Sequence, residues 1–159
     1  MKISWTSLKI SFAGAKLSHL VQKNKIWDHG SMIEQVKTVF FKLKKVKQSG
    51  NIEGLKKYIT DHCYEKLEQE LDELEKDGKT WVVKNLLIKE LSIIEVNAAK
   101  SQKPDCFTAV IKTIGIEFIE DKANTTGLIN YSDKVKIFSE QWSFLRQGDW
   151  WMLDKIKSR

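Results

Sequence analysis

The chain is predicted to be an α+β domain, with helices segregated to one face of a curved antiparallel sheet. Two changes of pattern predict it. Up to Gly78 the apolar residues recur with the 3.6-residue period of helices, and beyond Gly78 they recur with the period of two that belongs to strands. The end of the chain alternates aromatic and polar residues on both sides of Gln147-Gly148, a hairpin signal. Length agrees: 159 residues with 42% hydrophobic and 30% charged side chains fit one soluble domain with one core, and a single Pro and eight Gly exclude a low-complexity chain.

The first 27 residues read as a basic arm ahead of a domain at 28–159. Lys2, Lys9, Lys16, Lys23 and Lys25 all precede the first acidic residue, Asp28, so the arm holds five of the six net positive charges. Lys2, Lys9, Lys16 and Lys23 recur every seven residues, which a helix would align on one side with a slow drift. Trp5 and Phe12 fall near that side, while Leu8, Ile10 and Phe12 alternate as a strand would, so a helix is expected firmly only over 13–22.

A capping box at Ser31-Met32-Ile33-Glu34 is expected to start the next helix, with Met32, Ile33, Val36, Val39, Phe40, Leu43 and Val46 as its apolar stripe and Gly50 as its stop. Lys37 and Lys44 read as lying off that stripe, on a solvated face. A short helix is expected over 51–59, capped by Asn51, and Thr60 caps another that ends before Gly78. That last helix carries Cys63, Tyr64, Leu67, Leu71 and Leu74 inward and six acidic residues elsewhere, which suggests charge complementarity with the lysine-rich helix.

Strands are expected over 86–96 and 105–120, with Trp81 to Val83 either a short strand or a helical turn and with a bulge or bend at Gly115. A loop over 121–133, marked by Asn124 and Gly127, leads to the final hairpin. A loop at Gln147-Gly148, or from Arg146 to Asp149, puts Phe144 opposite Trp151, Trp142 opposite Leu153, Glu140 opposite Lys155 and Arg146 opposite Asp149. Trp142, Phe144, Trp151 and Leu153 then face the core. Leu145, Trp150, Met152 and Ile156 form the opposite face, too apolar for water alone, so a pocket, the arm or a second subunit is expected there with Trp150 as anchor.

Several function classes are narrowed by composition. Lysine-dominated charge, with Arg146 and Arg159 the only arginines, fits diffuse attraction to an anionic surface better than nucleic-acid readout. No run of uncharged apolar residues is long enough to span a bilayer. Cys63 and Cys106 read as buried free thiols of a reducing compartment. His19, His29 and His62 lack metal-ligand spacing, so neither a metal nor a cofactor is expected. Glu117 and Glu140 are the carboxylates on apolar strands, and the favoured reading of Glu140 is a rim ion pair with Lys155.

The ordered set Asn51, Leu55, Tyr58, Thr60, Leu67, Glu140, Trp142, Phe144, Trp151, Leu153 and Ile156 resembles the TIM-forty-four-like domain family over roughly 28–156. That family includes the C-terminal domain of the mitochondrial inner-membrane import scaffold, a mitoribosomal large-subunit protein and bacterial relatives. The resemblance implies a nuclear-transport-factor-like cone with an apolar pocket, and a non-enzymatic role in peripheral membrane association and protein docking. The long N-terminal region of the mitochondrial form has no counterpart here, so an import-motor role does not carry over.

The function expected is therefore a peripheral adaptor or lipid-binding domain on the inner, cytoplasmic or matrix-side, face of a membrane. Lys2, Lys9, Lys16, Lys23 and Lys25 with Trp5 and Phe12 would meet the anionic surface or lipid. Leu145, Trp150, Met152 and Ile156 would meet a ligand, a protein partner or a second copy. Two alternatives stand beside it: an enzyme using a pocket carboxylate, and a ribosome- or RNA-associated protein contacting its partner through Lys37 and Lys44.

Overall fold

The computed structural model describes residues 4–124 and 131–159. Three helices, α1 (Trp5–Leu20), α2 (His29–Ser49) and α3 (Asp61–Lys76), precede four strands, β1 (Lys79–Asn97), β2 (Cys106–Asp121), β3 (Lys136–Gln147) and β4 (Trp150–Ser158). The strands form one antiparallel sheet in the order β1-β2-β3-β4, a simple meander. The helices cover one face of it, as the change of period at Gly78 predicts. Lys2 and Gly127 lie outside the described residues.

Each helix begins at a side-chain cap. Ser4 Oγ accepts from the Ser7 amide, so α1 starts eight residues earlier than the firm part of its expected span. Asp28, not Ser31, caps α2; its carboxylate takes both the amide and the hydroxyl of Ser31 at 2.9 Å. An acid at the positive end of the helix dipole out-competes a serine one turn inside, and Ser31 holds that carboxylate below its usual pKa through the amide bond first and the hydroxyl second. Thr60 caps α3 as expected. The short helix expected over 51–59 is a single 3-10 turn, Glu53–Leu55, after which Tyr58 to Thr60 run beside β4 and exchange backbone hydrogen bonds with Leu153. With Gly54 inside it and an open strand edge beside it, this segment gains more from the sheet than from another helical turn.

The hairpin register differs from the sequence expectation. Its two-residue loop is Gly148-Asp149, with Gly148 at φ 62 in the first central position, which a type II′ turn reserves for glycine. Gln147 therefore pairs with Trp150, Arg146 with Trp151 and Phe144 with Leu153. A bulge then moves Ser143 opposite Lys155 and Trp142 opposite Ile156. Arg146 still reaches Asp149, at 3.7 Å, but as turn neighbours, and it holds Asp105 at 2.9 Å. Because one extra residue reverses the side-chain alternation beyond it, Ile156 packs against the core with Trp142, away from the face of Leu145 and Met152.

Trp27, Phe40, Phe107, Phe144, Trp142 and Trp151 fill the core. Trp27 meets Trp151 edge-on at 5.0 Å, and Phe107 stacks on Phe144 at 4.9 Å. Trp151 Nε1 donates to the Ile26 carbonyl at 3.1 Å, fixing the chain between α1 and α2. Gly115 does mark an irregularity, although the bulge lies on the facing strand: a Cβ there would sit 2.7 Å from Leu86 and 2.8 Å from the Asn85 carbonyl.

Candidate docking surfaces and a buried charge cluster

Helix α1 packs on β1 through Ala13 and Leu17, both buried, with Leu20 and Val21 joining the same core. Its outward stripe follows the spacing 5, 8, 12, 15, 19, which brings Trp5, Leu8 and Phe12 into one row. Trp5 is 71% exposed and Phe12 68%. Lys9 and Lys16 run along one flank of that row. The Lys9 ammonium lies 5.9 Å from the Trp5 ring, and Lys16 Nζ reaches the Val96 carbonyl at 3.3 Å. Lys23 follows in the turn after the helix, and Lys25 begins a 3-10 turn.

Lys25 shares a groove of about 570 Å³ with Ile26, Gln35 and Trp150. The floor is tied down by Gln35 Nε2, which donates to the Trp151 carbonyl. Trp150 is 43% exposed and leans on Tyr58 at 6.1 Å, so it forms a wall rather than a buried anchor. Leu145 and Met152 pair directly across β3 and β4, and Met152 is buried while Leu145 is half-buried. The structure thus separates the four residues: Trp150 at its groove, Leu145 and Met152 on the outer side of the sheet, and Ile156 half-buried on the core side.

The centre of the domain holds charges that the sequence reading placed elsewhere. Lys44 is only 2% exposed, and its ammonium touches both oxygens of Glu117, at 2.9 and 3.0 Å, and Glu140 at 3.0 Å. Lys47 completes the cluster at 3.3 Å from Glu117. The rings of Phe40, Phe138 and Trp142 lie 5.3 to 6.0 Å from the Lys44 ammonium, favourable for a cation held out of water. Burial pushes the Glu117 carboxyl up, but the positive charges of Lys47 and Lys44 and their hydrogen bonds bring it below the usual carboxylate range. Glu140 therefore makes no rim pair with Lys155; the bulge at Ser143 puts Ser158 opposite it instead. Lys44 follows Phe40 by four residues and Lys47 by seven, so both stand at stripe spacing, and this was the signal available in the sequence. The acid-rich α3 does not neutralise α2 either, since its one ion pair among the described residues joins Glu75 to Lys122 at 2.6 Å. Among the described residues no group of His, Cys, Asp or Glu side chains is placed to hold a metal ion.

The family model of the Tim44-like domain matches residues 13–158. The chain belongs to the Tim44-like domain family. The match takes in the second half of α1, whose Ala13 and Leu17 are part of the core. Among solved structures, the intermembrane space region of the chloroplast protein ARC6 is similar in fold, with a TM-score of 0.51 at 11% identity over 79% of this chain and 95% of that one. No curated protein sequence matches this chain. Tim44-like domains are associated with membrane-linked import or scaffold roles. Among the described residues of this one, no helix is long and apolar enough to cross a bilayer.

Proposed function

We propose that this Tim44-like domain is a non-enzymatic peripheral adaptor that lays α1 on an anionic membrane surface, on the cytoplasmic or matrix side, and presents the rest of the domain to a protein partner. One observation carries the reading: Trp5, Leu8 and Phe12 face outward in a single row on a helix without an acidic residue, while Ala13 and Leu17 fasten the same helix to β1. Aromatic rings at such a height enter the headgroup boundary, and lysines alongside them keep their ammonium groups at the anionic surface. Each lysine near such a surface adds about 1 kcal/mol. Lys2, Lys9, Lys16, Lys23 and Lys25 are the candidates, Lys16 only by releasing the Val96 carbonyl that its ammonium holds.

The enzyme alternative loses its reagent. A pocket acid working near neutral pH needs a raised pKa, and Lys47 and Lys44 instead bring that of Glu117 down, while Glu140 is ion-paired to Lys44. The RNA alternative loses Lys44, which is buried, and keeps Lys37, part-exposed beside Glu34 at 3.6 Å.

Flotation of the full chain with vesicles of phosphatidylcholine, alone or mixed with phosphatidylserine, tests the reading. Truncating the arm would remove Ala13 and Leu17 from the core, so the comparison is with Trp5→Ser/Phe12→Ser, which changes only exposed side chains. Expected are binding to the anionic vesicles, weakening with salt, and a loss of about tenfold or more in the double variant. Equal flotation of the variant and the parent would refute the role of α1.

A further inference from the structure

The sheet ends in an open edge beside a groove, and no lining residue of that groove belongs to α1. Tyr58 to Thr60 cover β4 only as far as Leu153. Beyond it the Arg159 amide donates to the Ser139 carbonyl, so alternation along the strand turns the backbone groups of Lys157 and Lys155 toward β3 and those of Ser158 and Ile156 away from it. Those outward N–H and C=O groups have no backbone partner among the described residues.

Opposite this edge runs α3, which leaves β4 at Thr60 and opens a groove of about 410 Å³. His62, Lys66 and Glu70, four residues apart, form its helical wall. Leu43, Cys63 and Leu67 form an apolar floor, and burial pushes the Cys63 thiol up to about 11, which keeps that floor uncharged. On the other side of the edge, Lys155 and Lys157 are exposed and, like Lys66, have no ion-pair partner among the described residues.

We propose that this edge binds an extended acidic segment of a partner protein, which adds to β4 as a further strand in the groove between β4 and α3. A strand paired there presents alternate side chains to the two faces of the sheet. Acidic residues two apart would stand opposite Lys155 and Lys157, and the apolar residues between them would face Leu67 and Cys63. An acyl chain would fill the floor but leave the free backbone groups of Ile156 and Ser158 unanswered, so the open edge selects a peptide over a lipid. Lysines that merely guard an edge against pairing are the competing explanation. The site is independent of the membrane reading, and either can fail alone.

Selection of a random decapeptide library on the full chain, with Lys155→Glu/Lys157→Glu as counter-selection, tests the proposal. Both substitutions are at exposed positions, and an unchanged far-UV circular dichroism spectrum would show that the variant folds. Expected are peptides alternating acidic and apolar residues, binding at least about tenfold more weakly to the variant and slowing amide hydrogen exchange at Ile156 and Ser158. No enrichment, capture by the variant equal to that by the parent, or binding that leaves those two amides exchanging at the free rate would each overturn it. Displacement of the selected peptides by oleate, with oleate binding the variant as well as the parent, would assign the groove to a lipid and overturn it too.

Discussion

The ammonium of Lys44 lies 3.0 Å from a carboxylate oxygen of Glu140, and both side chains are shut off from water. They come from a helix and a strand 96 residues apart in sequence, so this contact fixes α2 on the sheet. A buried pair of this kind is weak as a source of net stability, because desolvation offsets most of the attraction, yet breaking it is costly. Replacing Lys44 by Met leaves two carboxylates facing each other's neighbourhood with only Lys47 nearby. The expected loss is about 3–5 kcal/mol by urea denaturation. Lys44→Met combined with Glu140→Gln should recover a large part of it, because the uncompensated charge is gone; a double variant as unstable as the sum of both singles would refute this coupling.

The same cluster sets a pH dependence. Glu117 titrates below its ordinary range in the folded chain, because Lys47 and Lys44 outweigh the opposing effect of burial. A depressed carboxyl pKa contributes stability that is fully present above the unfolded value of about 4.3 and is lost as pH falls through the lower folded value. The stability difference between the parent chain and Glu117→Gln should therefore be constant from neutral pH down to about 5 and shrink below that. A difference that grows on acidification would contradict the sign argued here.

How much of this could be read from the sequence depends on which interaction decides each feature. The helix stripes, the strand alternation and the core role of Trp142, Phe144, Trp151 and Leu153 follow from local periodicity, and the structure has all four buried. The hairpin register does not, because a one-residue choice of turn and a bulge after Ser143 cost little locally and are settled by packing. Lys44 is the same lesson for charge. Its spacing from Phe40 put it beside the stripe, but only the fold brings Glu117 and Glu140 to its ammonium, and without them a buried lysine would be too costly. The outward row of α1 is half legible: Trp5 and Phe12 fall near the lysine side, but Leu8, Ile10 and Phe12 also alternate as a strand would, and it is the Ser4 cap that extends the helix over them.

Two glycines should respond to alanine with opposite signs. At Gly115 the new methyl would meet Leu86 and the Asn85 carbonyl at 2.7 and 2.8 Å, and the β1 backbone there cannot retreat without giving up its pairing with β2. Gly115→Ala should cost about 1–3 kcal/mol or more, as overpacking does. Gly14, in the middle of α1 with nothing within 4 Å, should gain about 0.5–1 kcal/mol on the same change, because alanine loses less entropy in a helix. Thermal denaturation of the two variants checks both, and a stabilised Gly115→Ala would mean that the bulge on β1 moves freely.

Cys63 and Cys106 should part company in alkylation. Burial is the main cause that raises the Cys63 thiol to about 11, with Asp154 and Glu70 adding to it. Cys106 is raised as well, again chiefly by burial, but it is only half-buried and lies at the start of β2. Since the thiolate is the nucleophile, iodoacetamide at about pH 8 should label Cys106 first and reach Cys63 only when the chain opens. The linkage sign follows from the raised value: between the unfolded thiol pKa of about 8.5 and the folded one, the unfolded chain has lost a proton that the folded chain keeps. Stability should therefore fall across that alkaline window in the parent chain and fall less in Cys63→Ala, with urea midpoints measured against pH as the check. If Cys63 were labelled as fast as Cys106 in the folded chain, the floor of the groove between α3 and β4 would be open to water, and the apolar half of its proposed peptide specificity would go with it.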